Sequence, residues 1–490
     1  MVAPSEVLDA VIVGAGFAGI GMAIKLDEAD TPNFVILERG DRVGGTWRDN
    51  HYPGCACDVP AHLYSYSFEP NPNWSLPYAP QNEILAYLER CVDKYHLRGR
   101  LRLSTAAQRA RFDEELGLWE VEASTGQRFL ARSLIVGAGP LNRWSVPKIA
   151  GLEKFRGPMF HSADWKEDVS LEGKRVAVIG TGASSIQIVP AIAERVGKLH
   201  VFQRTPAWIL PKRNGVIDEK AQARYAKFPA AQTAIRKTLY GVNEFFGLGF
   251  THFRPIMNIG EMVANKYRDK AVRDPVLRDK LTPKYPIGCK RVLMSNDFYP
   301  AIQRENVELV TDGIREIREH SIVTEDGALR EVDVIVLATG FDAADIKAPF
   351  AIEGRRGQAL ADGAEAYLGT TFAGFPNFFM IIGPNTGLGH TSMIVMMEAQ
   401  IGYILGALRT MQKKKLKLLD VREEVVRKYN ERIQKRLAKT VWSGDCRSWY
   451  KTKEGKNTTL WPGLTIEYRA RMARFDAERY ERVKERLPVA

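Results

Sequence analysis

The chain has 490 residues, of which 45% are hydrophobic and 26% are charged, so it is long enough for two or three domains with their own cores. No window approaches the roughly 18 uncharged apolar residues that a membrane-spanning helix needs, and no basic stretch precedes an apolar run at the start of the sequence. We therefore predict neither a membrane span nor a signal peptide. The formal net charge of +12 is spread along the chain, and for that reason we expect no nucleic-acid partner.

The cysteines are odd in number and scattered: Cys55, Cys57, Cys91, Cys289 and Cys446. There is no Cys-x-x-Cys pair, and the single residue between Cys55 and Cys57 suits neither a redox disulfide nor a zinc clip. We therefore expect no disulfide framework, no metal site and a reducing, cytoplasmic location. Cys55 and Cys57 are expected to be buried, unreactive thiols.

The first motif in chain order is a glycine-rich turn. An apolar, β-branched strand over residues 9–13 leads directly into a Gly-x-Gly-x-x-Gly sequence, and a second strand ends at Glu38. This context predicts a dinucleotide-binding βαβ unit. Gly14 allows the tight turn, Gly16 lets the backbone approach a pyrophosphate, and Gly19 allows the helix to pack closely on the strand. Glu38 can accept hydrogen bonds from ribose hydroxyls.

A second glycine-rich stretch follows at residues 44–47, with the sequence Gly-Gly-Thr-Trp, and an aromatic-Pro-Gly sequence then precedes Asp58. Gly45 lets the backbone approach a ligand closely, and Trp47 supplies a flat apolar surface. The alternative is a glycine-rich turn followed by a packed aromatic loop. Alternating segments near residues 101–103 and 119–121 predict a β-meander.

The stretch from Phe155 to Trp165 has the spacing Phe155-x-Gly157-x3-His161-x3-Trp165 and lies between two glycine-rich nucleotide motifs. The segment connects two predicted nucleotide sites whose cofactors must exchange a hydride. We therefore expect a connection with little freedom to change its length. The alternative is a surface linker whose aromatic residues only pack. His161 has no recognisable partner in the sequence, so we assign it to coupling at the hinge and not to acid–base chemistry.

The second nucleotide motif begins at Gly180, after an apolar strand at residues 174–179. Ser185 stands where the plain motif has its third glycine, and a serine is small enough for close packing to survive. The next strand ends near Arg204, with no acidic residue to bind a ribose 2′-hydroxyl. An arginine there suits a 2′-phosphate, which predicts NADP(H) and not NAD(H). Arg204 as an ordinary surface arginine is the alternative.

From about residue 213 to residue 289 the pattern becomes helical and rich in aromatic and basic residues. Its apolar part, residues 240–256, is compatible with a substrate entrance, a membrane contact or simple packing. A Lys-Arg pair follows at residues 290–291, and a strand then leads into an Ala-Thr-Gly-Phe-Asp sequence at residues 338–342. A loop at residues 383–390 precedes a helix whose N-terminus we expect to return to the first cofactor.

Taken together, these motifs resemble the type I (class B) Baeyer–Villiger monooxygenases over nearly the whole chain. Related N- and S-oxygenases share most of the 155–165 spacing but usually lack the tryptophan. The resemblance implies an α/β fold with two Rossmann-like dinucleotide-binding domains, one for FAD and one for NADP, and a helical insertion. The implied FAD domain spans residues 1–144 and 383–490, the NADP domain residues 145–212 and 290–382, and the insertion residues 213–289.

The resemblance also implies roles for individual residues. Lys290 would bind the NADP 2′-phosphate, while Arg291 would face the flavin and be held by Asp58; Arg291 as a salt-bridged surface residue is the alternative. The candidates at the FAD site are Gly14, Gly16, Gly19, Glu38, Gly45, Thr46, Trp47, Asp58 and Tyr64. The candidates at the NADP site are Gly180, Thr181, Gly182, Ala183, Ser184, Ser185, Gln187, Arg204, Thr205, Lys290 and Arg291.

The implied activity is the oxidation of a ketone to an ester or lactone by NADPH and O2. NADPH would reduce FAD, the reduced flavin would form a C4a-peroxide, and the deprotonated peroxide would attack the ketone. Arg291 and Asp58 would be the catalytic residues, because a fixed guanidinium stabilises an anionic peroxide and adduct. The alternatives are an N- or S-hydroxylating flavin monooxygenase, which does not need Arg291, and a non-catalytic redox sensor or scaffold that binds both nucleotides.

Overall fold

The computed structural model describes residues 7–342, 349–444, 448, 450–452 and 454–484. Within these residues the helices are α1 Phe17–Asp27, α2 Thr46–Asp49, α3 Gln81–Lys94, α4 Ser185–Ile192, α5 Glu219–Lys227, α6 Pro229–Thr251, α7 Pro255–Ala271, α8 Pro275–Lys280, α9 Phe298–Ile302, α10 Met393–Lys414, α11 Glu423–Leu437 and α12 Thr465–Met472. The strands are β1 Leu8–Val13, β2 Phe34–Leu37, β3 Leu101–Arg102, β4 Ala107–Asp113, β5 Leu118–Ala123, β6 Arg128–Val136, β7 Met159–His161, β8 Arg175–Ile179, β9 Lys198–Phe202, β10 Ile209–Leu210, β11 Leu293–Met294, β12 Val307–Val310, β13 Ile314–Arg318, β14 Ser321–Thr324, β15 Leu329–Glu331, β16 Val334–Leu337, β17 Ala351–Glu353, β18 Phe378–Met380, β19 Leu416–Val421 and β20 Tyr480–Lys484.

The larger sheet contains eight strands in the order β17-β4-β5-β6-β1-β2-β3, and β18 also pairs with β6. Strands β1, β2, β3, β6 and β18 pair in parallel, whereas β4 and β5 are antiparallel to each other, as are β5 and β6. The predicted meander is therefore β4–β6. The segment near residues 101–103 is not part of it, because β3 pairs in parallel with β2.

The second sheet is entirely parallel, with the order β12-β9-β8-β16-β7. Every residue of β16 is buried, as is typical of strands that are covered on both faces. Helix α4 begins at Ser185, whose side chain is completely buried, so serine does fit in the third glycine position. The two parallel units confirm the predicted α/β fold with two Rossmann-like parts, while the domain boundaries stay a prediction.

The predicted helical insertion contains α5 to α8 and lies between β10 and β11. These two strands pair in parallel, so the chain leaves and re-enters at one place. The apolar stretch of residues 240–256 is only partly buried. Phe250 is buried, whereas Phe245, Phe246 and Phe253 are exposed. Among the described residues, no helix combines the length and the apolar character that a bilayer span requires.

The cysteines differ in part from the expectation. Cys55, Cys57 and Cys91 are free and buried, and burial raises the pKa of Cys55 to about 12. Cys289, however, is disulfide-bonded, so the expectation of unpaired cysteines is wrong there. Spacing along the sequence does not reveal which thiols approach each other in space. Cys446 lies outside the described residues.

Two helical glycines provide a test of the packing. An added methyl group at Gly19 in α1 would overlap the carbonyl oxygen of Gly14, whereas one at Gly402 in α10 would contact nothing within 4 Å. Alanine is favoured over glycine in a helix by about 1 kcal/mol. Gly402→Ala should therefore raise the melting temperature and Gly19→Ala should lower it, as measured by thermal unfolding. A rise for both variants would show that α1 does not pack closely on the Gly14 turn.

Candidate active site

The first cofactor site lies where two glycine-rich turns meet. Gly14 has a φ of +103°, which favours glycine, and a side chain there would crowd the carbonyl of Gly137 at 2.8 Å. Gly16 caps α1, and a Cβ on it would lie 3.6 Å from the Cα of Gly45. Free backbone N–H groups at the start of a helix next to glycine-lined backbone suit a pyrophosphate. These turns therefore fit FAD.

Glu38 lies directly against this turn. Its Oε2 accepts a hydrogen bond from the backbone N–H of Ala15 at 2.8 Å, and its Oε1 accepts from the N–H of Gly40 at 2.8 Å and from Arg48 at 2.7 Å. The structure thus places Glu38 where the sequence predicted, with its carboxylate fixed by protein donors. Ribose binding by Glu38 stays a prediction.

Trp47 and Tyr64 form an aromatic corner beside the first site. Their ring centres lie 5.5 Å apart at 78°, and the Trp47 Nε1 donates to the Tyr64 hydroxyl at 3.1 Å. Burial raises the pKa of Tyr64 well above its usual range, so its hydroxyl stays protonated. Thr46 begins the short helix α2 next to Gly45. The corner offers a rigid apolar surface that suits a flavin ring.

The second cofactor site lies at the start of α4. A Cβ on Gly182 would contact nothing within 4 Å, so the turn is open to a ligand, and Thr181 donates to the carbonyl of Thr205 at 3.1 Å. Burial and the nearby charge of Arg204 lower the pKa of Lys290. Two cations from separate segments therefore lie close together, an arrangement that suits a phosphate group.

Three further candidates lie in the same helix or immediately before it. Ala183 and Ser184 precede it, with Ser184 as its N-cap residue. Gln187 has a different environment: its Oε1 accepts from the Tyr52 hydroxyl at 3.0 Å, and its Nε2 donates to the carbonyl of Ala56 at 3.0 Å. Gln187 thus ties α4 to the loop before Asp58, and its cofactor contact stays a prediction.

Arg291 and Asp58 form an ion pair. The Asp58 Oδ2 accepts a hydrogen bond from Arg291 Nε at 2.9 Å, and Arg291 Nη2 lies 2.8 Å from the same oxygen as an ion-pair contact. A third guanidinium nitrogen, Nη1, donates to the carbonyl of Leu388 at 3.1 Å. The side chains are only 26% and 34% exposed, respectively, so this is not a fully solvated surface ion pair. The charge of Asp58 raises the pKa of Arg291.

Tyr450 belongs to this site but was not singled out by the sequence. Its side chain is buried, and burial raises its pKa to about 12 although the charge of Arg291 acts in the opposite direction. Asp58 also influences it. No motif surrounds this tyrosine, so only its place in the fold reveals it.

The 155–165 segment contacts three other parts of the chain, at Trp144, Phe341 and His51. His161 ends β7, stacks on Trp144 with ring centres 5.8 Å apart and contacts the edge of Phe341 at 5.7 Å. Its Nδ1 accepts from the N–H of Ala163, and burial lowers its pKa, so the ring is neutral. The carbonyl of Trp165 lies 3.2 Å from His51 Nε2. The ring of His161 is thus engaged by protein groups on several sides, which agrees with the expected role at the hinge.

Comparison with known proteins identifies the family. Residues 11–214 match the family model described as pyridine nucleotide-disulphide oxidoreductase. A Baeyer–Villiger monooxygenase of Pseudomonas aeruginosa is 47% identical over 96% of this chain and 90% of its own length. This chain belongs to the Baeyer–Villiger monooxygenase family. A second family member, from Streptomyces coelicolor, is 45% identical over 96% of the chain and 92% of its own length.

Solved structures agree with this assignment. A cyclohexanone monooxygenase from Rhodococcus bound to NADP⁺ is 29% identical with a TM-score of 0.88, and a steroid monooxygenase bound to NADP is 31% identical with a TM-score of 0.86. Both alignments cover 98% of this chain and 100% of the other. The predicted Baeyer–Villiger family, the two-unit fold and the class of enzyme, a monooxygenase, are confirmed.

The cation pair at the second cofactor site leads to a prediction. Arg204→Ala should weaken NADPH binding about 10- to 100-fold, because a charge-assisted hydrogen bond is lost, and should change NADH binding about twofold or less. Dissociation constants from flavin-fluorescence titration measure both. Arg195→Ala, which removes an exposed arginine that is paired with Glu172, is the control. Equal weakening of both nucleotides would show that Arg204 does not bind the 2′-phosphate.

Proposed function

We propose that this protein is a Baeyer–Villiger monooxygenase that uses FAD, NADPH and O2 to convert a ketone to an ester or lactone. The observation that carries the proposal is the ion pair of Arg291 with Asp58. The cofactor assignment is supported by a structural relative described as a complex with FAD and NADP, which is 29% identical with a TM-score of 0.86.

In this proposal Gly14, Gly16 and the start of α1 hold FAD, while Gly182, Arg204 and Lys290 hold NADPH. Bound FAD, once reduced by NADPH, would be the group that reacts with O2. Arg291 places a permanent positive charge where negative oxygen atoms develop, and such preorganised charge favours the transition state. Asp58 keeps the guanidinium oriented, because Nε donates to one carboxylate oxygen and Nη2 lies 2.8 Å from the same oxygen.

Two other activities are less compatible with this arrangement. An N- or S-hydroxylating enzyme has no need for a guanidinium fixed beside the flavin. Disulphide reduction, which the name of the matching family model mentions, needs a reactive cysteine pair. Cys55 and Cys57 are instead buried, and burial raises the pKa of both thiols. We keep N- or S-hydroxylation as the second candidate, because it uses the same two cofactors.

The substrate and the location are also proposals. Structural relatives named for cyclohexanone and for a steroid support an apolar cyclic ketone as the substrate. A cytoplasmic location agrees with the free thiols of Cys55, Cys57 and Cys91. The disulfide bond of Cys289 does not favour it.

Product analysis tests the reaction class. The holoenzyme would be incubated with NADPH and air and with matched panels of cyclic ketones, tertiary amines and sulfides. Esters or lactones from the ketones are expected. Amine oxides or sulfoxides alone would move the protein to the hydroxylating class, and oxidation of NADPH without any oxygenated product would contradict both.

Arg291 variants test the role of the guanidinium. Arg291→Ala should lower the rate of ester formation about 100- to 1000-fold, because a charged donor to the developing oxyanion is lost, while NADPH should still reduce the flavin. Arg291→Lys keeps the charge but not the planar fork that contacts Asp58 and Leu388, and should recover only part of the rate. Gas chromatography of the product and anaerobic flavin bleaching measure the two steps. Unchanged ester formation in Arg291→Ala would refute the assignment.

A further inference from the structure

One face of α6 is buried against the 383–392 loop, the segment that precedes α10. Glu244, Gly247 and Phe250 follow each other at intervals of three residues, so they lie on one side of the helix. All three contact or face His390 in this loop. The helix belongs to the predicted insertion, whereas the loop follows β18 of the larger sheet.

Glu244 is a buried carboxylate with four donors. It accepts hydrogen bonds from His390 Nε2 at 3.2 Å, from the Thr465 hydroxyl at 2.5 Å, and from the backbone N–H groups of Thr465 and Ile466 at 3.2 and 3.1 Å. Burial alone would raise the pKa of Glu244, but the hydrogen bonds from His390, Thr465 and Ile466 outweigh it and lower the pKa. Glu244 is therefore charged at neutral pH, and the proton of His390 lies on Nε2 because a carboxylate only accepts.

The ring of His390 also lies directly on the backbone of α6. A Cβ on Gly247 would come within 2.7 Å of the His390 Cδ2 and 2.8 Å of its Nε2. Phe250 contacts the loop at Gly389, where a Cβ would lie 3.3 Å from its ring, and it also stacks on Trp442, outside the loop, with ring centres 5.9 Å apart. The 383–392 loop thus has little freedom to move relative to the insertion.

The same loop contacts Arg291. Leu388, two residues before His390, provides the carbonyl that accepts from Arg291 Nη1 at 3.1 Å. The other two nitrogens that contact protein both bind Asp58 Oδ2. Leu388 is therefore the second fixed point of the guanidinium. It lies between Gly387, which pairs with Leu460, and His390, which contacts α6.

We propose that Glu244 and His390 are positioning residues through which the helical insertion sets the orientation of Arg291. This inference rests on the role of Arg291 in the proposed function. A displacement of about 1 Å at a catalytic group is enough to lower a rate about 100-fold. Attachment of the insertion does not need Glu244, because Gln232 and Arg236 also bind α6 to the segment of residues 62–71.

The chain offers a matched pair of variants on α6. Gly247→Ala pushes against His390, whereas Gly241→Ala adds the same methyl group where nothing lies within 4 Å. Both exchanges favour the helix equally. Glu244→Gln is the third variant: an amide offers a single acceptor oxygen to four donors, so at least one hydrogen bond is lost.

Hydrogen exchange of the full-length holoenzyme tests the contact without relying on catalysis. In Gly247→Ala and Glu244→Gln, the peptide covering residues 383–392 should exchange about tenfold faster than in the wild type, and in Gly241→Ala it should be unchanged. Unchanged exchange in both test variants would overturn the inference. Because Glu244→Gln keeps the size of the side chain, it remains informative if Gly247→Ala does not fold.

A second experiment tests the consequence for catalysis of a displaced Arg291. With a ketone present, it measures how much of the consumed NADPH yields ester and how much yields hydrogen peroxide. The share that ends as hydrogen peroxide should rise about fivefold in Gly247→Ala and Glu244→Gln, with the rate of flavin reduction within about twofold of the wild type. Gly241→Ala should match the wild type. Faster exchange with an unchanged share would overturn the positioning role. If the wild type forms no ester from any ketone, the proposed function fails, and hydrogen exchange alone decides on the contact.

Discussion

The contact between Arg291 and Asp58 is the interaction on which the active site depends. The two residues are 233 positions apart in the chain, yet one carboxylate oxygen lies within 2.9 Å of two guanidinium nitrogens. A partly buried charge without a partner is costly, so each of the two segments stabilises the other in its place. Leu388 adds a carbonyl from a third segment. Three distant parts of the chain thus converge on a single guanidinium.

The two parallel units provide the rigid frame for this convergence. In each unit a helix begins directly after a buried strand, at α1 and at α4, and the nucleotide-binding turns lie at the carboxyl ends of those strands. The ring of His161, at the end of β7, contacts both Trp144, which lies after β6, and Phe341, which lies after β16.

Features that depend on residues close together in the sequence were predicted correctly. The strand at residues 34–37, both glycine-rich turns and the helical insertion all appear in the structure, because each has its own periodicity or turn residues. The pairing of Arg291 with Asp58, which the resemblance to the family implied, is also present in the structure. Contacts between distant segments without a motif were not predictable: Tyr450 beside Arg291, the hydrogen bond of Glu244 with His390, and the disulfide bond of Cys289. Nothing in a linear pattern gives the distance between such residues.

The most direct test of the account is isotope labelling of the oxygen-transfer step. The holoenzyme would react with NADPH and a cyclic ketone under oxygen-18 gas, and mass spectrometry would locate the label in the product. The account predicts an ester or lactone that carries one labelled oxygen atom, with the other oxygen retained from the ketone. Recovery of unchanged ketone, with the label found only in hydrogen peroxide or in an added amine or sulfide, would contradict it.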